Sequence, residues 1–196
     1  MEIYQPFSYL FGVNNVIEDL SELRSCEDFL VGRKQEKSSD TSTIRILDKY
    51  PYSKKILTKY FNSFIDNVFG YDNDFIITTS WLVNLDEGDE VHLHNHRNCL
   101  WSGIFYYGDY TENSCGLKFR NPITKGLLDL GKSKNNPMTK DWEVKPETNL
   151  LVFWPSSIYH YSDVNKEKDR HSLALNFFPK GSLGFGDSYL DPQWLH

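Results

Sequence analysis

Beyond Gly70 the chain breaks into seven short runs rich in Ile, Val, Thr, Phe, Tyr and Trp: DFIITTSWLVNL, EVHLHNH, LWSGIFYY, GLKFRNP, DWEVKPE, NLLVFWP and RHSLALNFF. Clusters of Gly, Asp, Asn and Pro separate them. Aromatic and β-branched side chains fit a pleated, half-buried surface, and runs of this length match strands. Strands that follow one another without intervening helices predict an antiparallel barrel or sandwich. The turn GKSKNNPMTK, residues 131–140, is expected over an opening of that barrel.

The first seventy residues read differently. Val16, Leu20, Leu23 and Phe29 recur at roughly helical spacing, and the polar stretch VGRKQEKSSDTST is a loop. From Pro51, the residues Ile56, Leu57, Tyr60, Phe61, Phe64, Ile65, Val68 and Phe69 form one apolar stripe that ends at Gly70. This predicts a helix. The organisation expected is a single domain over 1–196, with a helical part at 1–70, a β core at 74–178 and a Gly-rich tail at 179–196.

With 39% hydrophobic and 15% aromatic residues, the chain is equipped for a packed core. A net charge of -6 with no basic stripe leaves nucleic-acid binding unsupported. Cys26, Cys99 and Cys115 are odd in number and share no C-x-x-C spacing, so reduced thiols are the simpler reading. There is no signal sequence or long apolar run, so a soluble cytoplasmic protein without a membrane partner is expected. A homodimer is compatible with the sequence.

The histidines carry the chemistry. His92, His94 and His96 alternate with Leu93 and Asn95 in a run that reads as a strand, where alternate side chains share a face. Imidazole is a common ligand for divalent transition metals. An exposed polar face is the alternative reading. Two features weigh against it: WPSSIYHYSDV presents His160 after a turn, and Arg170 and Ser172 stand at i and i+2 in RHSLALNFF, positioned to grip one carboxylate by a fork and a hydroxyl. His171 should face away from any such site, and nothing ties His196 to it.

The order of these elements resembles the Fe(II)/2-oxoglutarate dioxygenase superfamily. More narrowly, H-x-H-x-N-x-x-x-S-G-x-x-Y over 94–106 and P-S-x-x-x-H over 155–160 are similar to a group of 2-oxoglutarate-Fe(II) oxygenases of marine phages and bacteria. The resemblance covers roughly residues 74–178. It implies a double-stranded β-helix (jelly-roll, cupin-like) fold with the N-terminal helices packed outside. It also implies Fe(II), 2-oxoglutarate and O2 as cofactors, and hydroxylation of a protein side chain or small molecule with release of succinate and CO2. For a phage-encoded chain, the compartment implied is the host cytoplasm.

On this resemblance His94, His96 and His160 are the metal ligands, and Arg170 and Ser172 hold the 5-carboxylate of 2-oxoglutarate. Ser102, Tyr106 and Asn176 are further cosubstrate contacts, with a core or ladder role as the alternative for each. The superfamily usually has a carboxylate where this chain has His96. The second ligand therefore stays open: His92 can replace His94 or His96, and Asp89 or Glu90 can supply an oxygen where the strand bends. The same departure leaves a cupin-type enzyme without 2-oxoglutarate, or a non-catalytic jelly roll with structural zinc, as alternatives. Trp81, Trp101, Trp142 and Trp154 are expected to fill the barrel.

Overall fold

The computed structural model describes residues 9–26, 29–31, 44–122 and 141–195. The polar loop expected at 31–43, apart from Val31, and the turn at 131–140 lie outside them. Among the described residues, nine strands form two sheets. In chain order they are β1 (Gly12–Asn15), β2 (Phe29–Val31), β3 (Phe75–Leu85), β4 (Trp101–Tyr106), β5 (Leu117–Phe119), β6 (Trp142–Val144), β7 (Leu150–Pro155), β8 (His160–Ser162) and β9 (Arg170–Pro179). The larger sheet has the order β1-β7-β4-β9-β3-β2 and the smaller β6-β5-β8. Its pairings are antiparallel apart from β2 with β3, which is parallel.

The sheets face each other across one apolar layer. Ile104 and Tyr106 of β4 and Val152 and Trp154 of β7 meet Leu117, Phe119 and Val144 of the smaller sheet. The opposite face of the larger sheet packs on α1 (Pro51–Val68). Pro51 stands at N1, where its missing N–H costs nothing, and Glu22 accepts from both the backbone N–H and the hydroxyl of Ser53. Gly70, at φ +62°, ends the helix in the left-handed conformation glycine adopts freely. Phe61 is fully buried and stacks on Phe177 at 3.9 Å between centroids, with Phe153 edge-on at 5.0 Å. Val68, assigned to the apolar stripe, is 45% exposed beside the last turn.

The helical spacing around Val16–Leu23 resolves differently. The chain runs as strand β1, then a 3-10 turn at Ser21–Ser25, then β2. Val16, Leu20 and Leu23 are all buried, so the spacing reports burial but not an α-helix. β1 instead completes the edge of the larger sheet against β7.

A β-bulge divides β3. Phe75, Ile76 and Ile77 pair with Pro179, Phe178 and Phe177, but the next pair is Thr79 with Asn176, leaving Thr78 as the extra residue. Side chains alternate along a strand, so one extra residue inverts the alternation beyond it. Phe75 and Ile77 point into the core under α1, whereas further along it is Leu82 that does so. Thr79, Trp81 and Val83 are thereby turned toward the space between the sheets.

Candidate active site

The run EVHLHNH is not a regular strand. It is extended but takes its hydrogen bonds from β8 and the loops on either side of it, not from one continuous ladder. The Val91 N–H goes to the Ser162 hydroxyl, the His96 N–H to the Ser156 carbonyl, and the Asp89 carbonyl accepts from Asn165. At its centre His94 and His160 form an isolated antiparallel bridge, exchanging N–H···O bonds of 3.0 and 2.8 Å. This bridge sets the two imidazoles side by side, with ring centroids 4.2 Å apart and the ring planes tilted by 54°.

His96 completes a cluster in which the ligand nitrogens of His94, His96 and His160 all lie within 4.8 Å of one another. His92 stands apart, 62% exposed and with Nδ1 3.4 Å from Glu90. Asp89 accepts from the Asp86 N–H. None of His92, Asp89 and Glu90 enters the cluster.

The tautomers follow from the partners. His94 Nδ1 lies 2.7 Å from the His92 carbonyl and His160 Nδ1 3.1 Å from the Ile158 carbonyl; a carbonyl only accepts, so both Nδ1 atoms carry the proton. His96 Nδ1 lies 2.6 Å from Asn176 Oδ1 and is protonated likewise. The Nε2 lone pairs are left to converge, with those of His94 and His96 3.2 Å apart. Lone pairs this close repel unless a cation stands between them. Burial pushes His160 down to about 3, with His94 adding to the effect, and burial also lowers His96. Both are thus neutral near pH 7, the form that ligates a metal. Three imidazoles presenting Nε2 fit a divalent transition metal and would leave other positions on it for exogenous ligands.

The cluster lines a cavity of about 430 Å3, within the range of small-molecule sites. Trp81, Val83, Leu85, Ile104, Leu117 and Trp154 form its apolar wall, and Arg170 and Ser172 its polar floor. Arg170 is 3% exposed. Its guanidinium donates to the Cys115 carbonyl, the Ser172 hydroxyl and the Tyr106 hydroxyl, each at 3.1 Å. All three acceptors are neutral. Val83 pairs with Ser172 and Leu85 with Arg170 across β3 and β9, so both polar groups share the cavity face.

Ser102 and Asn176, expected at the cosubstrate, lie instead behind His96. The Ser102 hydroxyl donates to Asn176 Oδ1 at 2.9 Å and sits 3.0 Å from His96 Nδ1. Tyr106 is enclosed and reaches the site through Arg170. Among the tryptophans, Trp101 and Trp154 are buried as expected. Trp142 is 43% exposed on edge strand β6, and Trp81 is a cavity wall. His171 is beside Tyr107 on the other face. Ser156 and Thr79, which also support the His96 side, were missed. Ser156 belongs to the P-S-x-x-x-H run, while Thr79 is brought in by a bulge that leaves no mark in the sequence.

The family model "Putative 2OG-Fe(II) oxygenase" matches residues 79–176, half of the chain and the part that carries these side chains. The chain belongs to this oxygenase family. Fe(II) and 2-oxoglutarate are the metal and cosubstrate for which the family is named, and the three clustered histidines fit such a metal. Among solved structures, the fold is similar to HygX from Streptomyces hygroscopicus with iron bound, at 11% identity over 87% of this chain and 82% of that one, with a TM-score of 0.55. It also matches an oxidoreductase of the 2OG-Fe(II) oxygenase family from Burkholderia pseudomallei, at 12% identity, 65% and 58% coverage and a TM-score of 0.48. A Pseudomonas putida prolyl-4-hydroxylase matches at 16% identity, 66% and 65% coverage and a TM-score of 0.46. The chain spans less than two thirds of the length of the Burkholderia and Pseudomonas structures. No curated protein matches it. Among the described residues, no helix is long and apolar enough to cross a membrane.

Proposed function

We propose that this oxygenase hydroxylates a small molecule or a protein side chain: R–H, O2 and 2-oxoglutarate give R–OH, succinate and CO2. His94, His96 and His160 hold Fe(II) through Nε2. Arg170 and Ser172, with Tyr106 behind them, hold the distal carboxylate of 2-oxoglutarate. When bound, the metal and cosubstrate together supply the oxidising chemistry. The protein's part is to orient and to exclude water, which suits a cavity walled by Trp81, Val83, Ile104 and Leu117.

Arg170 carries this reading. A buried cation is costly without an anionic partner, and none of its acceptors is a carboxylate. A dicarboxylate entering the same cavity as the histidines would supply the missing charge to Arg170 at one end and bring its other end to the metal ligands. The test is anaerobic loading with Fe(II) and 2-oxoglutarate. The visible charge-transfer band of the chelate is expected in the wild type and weakened in Arg170→Ala and His160→Ala. Wild-type protein that binds iron but gives no band at any 2-oxoglutarate concentration would sink the reading.

A second reading rests on the neutral ligand set. Without a carboxylate in the cluster, the site also suits a cupin-type enzyme that uses an all-histidine metal and no 2-oxoglutarate. Succinate formed in step with turnover is expected from the first reading and excluded by the second. A structural zinc site would be closed by four ligands, and the described residues bring three together.

A further inference from the structure

Of the three clustered imidazoles, His94 and His160 are oriented by main-chain carbonyls. His96 is held from behind by side chains, and these form a directed chain. Asn176 Oδ1 receives the His96 Nδ1–H at 2.6 Å and the Ser102 hydroxyl at 2.9 Å. Ser156 Oγ lies 2.9 Å from Ser102 Oγ, and Cys99 donates to Ser156 at 3.1 Å. Ser102 and Ser156 are buried, so water does not compete.

A carboxamide has two ends, and one of them would be wrong here. An Asn176 NH2 group turned toward His96 would meet the imidazole as a donor and favour the Nε2-protonated ring, which cannot ligate from Nε2. In the structure the oxygen faces His96, and the other end of the amide has its own partner: Asn176 Nδ2 donates to Thr79 Oγ1 at 2.9 Å. Thr79 faces Asn176 because of the bulge at Thr78. Without that extra residue Thr78 would pair with Asn176 and Thr79 with Leu175.

We infer that Asn176, kept in orientation by Thr79 and Ser102, is a positioning residue that fixes His96 as the Nδ1–H tautomer with Nε2 directed at the metal. Groups that accept from the second nitrogen of a ligating histidine lock its tautomer and raise its basicity. The inference rests on the reading of the three histidines as the metal site. It adds that His96 ligates because of a neutral side-chain acceptor that substitution can reach.

The test uses Co(II) alone, without 2-oxoglutarate or turnover, so that affinity and ligand-field spectrum report the site. Asn176→Leu is expected to weaken Co(II) binding roughly 10- to 100-fold and to alter the visible bands. Asn176→Asp, which keeps an acceptor in place, should bind Co(II) at least as tightly as the wild type. Thr79→Val removes the orienting acceptor with little change of shape and should weaken binding about fivefold, the equivalent of one hydrogen bond. It also serves if Asn176→Leu fails to fold. In apo protein, imidazole 15N shifts should report His96 protonated at Nδ1, with the pattern lost in Thr79→Val.

Wild-type Co(II) affinity in both Asn176→Leu and Thr79→Val overturns the inference and leaves the site assignment standing. Equal loss in Asn176→Asp and Asn176→Leu overturns it as well, since Asn176 would then be structural. If His160→Ala binds Co(II) like the wild type, the site assignment itself falls and takes this inference with it.

Discussion

Replacing Arg170 with methionine separates ligand binding from folding, because binding should fall steeply while opposing terms nearly cancel in folding. Methionine keeps most of the volume and removes the charge. On the binding side, a carboxylate held by two charge-assisted hydrogen bonds loses about 3–5 kcal/mol with them, which is roughly a hundredfold to several thousandfold in affinity for 2-oxoglutarate. On the folding side, three hydrogen bonds from the charged guanidinium to neutral acceptors disappear, at about 1.5–3 kcal/mol each. Against this, the desolvation of a buried cation, of the order of several kcal/mol, disappears too. These terms are of similar size, so the apo variant should keep its stability within about 2 kcal/mol. The assays are anaerobic titration of the Fe(II) protein with 2-oxoglutarate and urea denaturation of the apo protein. Wild-type affinity in Arg170→Met would refute the carboxylate assignment. A loss of more than about 4 kcal/mol with binding intact would mean that Arg170 is a structural cation.

Three further outcomes follow from the packing and the electrostatics. Burial holds the folded-state values of His96, His160 and His171 below the ordinary imidazole range, so the unfolded chain takes up protons first as pH falls. Apo stability should therefore be full above about pH 6.5 and decline toward pH 5 by up to about 1.4 kcal/mol per pH unit for each histidine, a slope that urea melts would measure and that His160→Gln should flatten. Gly116→Ala places a methyl 2.8 Å from the Val144 carbonyl oxygen and 2.6 Å from Glu143 Oε1, so β5 and β6 must move apart; about 1–3 kcal/mol is expected from denaturation, and unchanged stability would contradict the close approach. Phe61→Ala should cost about 3–5 kcal/mol while leaving Co(II) stoichiometry at its wild-type value, because α1 packs on the face of the sheet opposite the histidines.

What could be read from the sequence was what depends on short-range pattern. The helix at Pro51–Val68 announced itself by spacing and by Gly70, and six of the seven β runs became strands. The joint order of His94, His96, His160 and Arg170 was legible because the motifs are dense in rare residue types. The behaviour of His92 was not. Alternation places it with His94 and His96, but the segment divides its hydrogen bonds between β8 and the loops on either side of it, and a long-range hydrogen-bond pattern leaves no local trace. The contacts of Ser102 and Asn176 with His96 are not legible in the sequence, since a strand pattern gives the face a side chain occupies and not the depth at which it sits. Val16, Leu20 and Leu23 illustrate the complementary error, in which buried positions in irregular chain imitate a helical period.

The extra residue at Thr78 makes β3 two half-strands read in different frames. Upstream, odd-numbered positions answer to the core beneath α1; downstream, odd-numbered positions answer to the cavity, and the even ones to the core. Mutational drift in the two halves is thus governed by separate constraints although they form one continuous backbone. An insertion or deletion of a single residue at this point would exchange the two sets at a stroke, sending Trp81 and Val83 inward to the aromatic cluster and Leu82 out to the ligand. Homologues of this oxygenase should therefore tolerate substitution at position 78 far better than a change in chain length there.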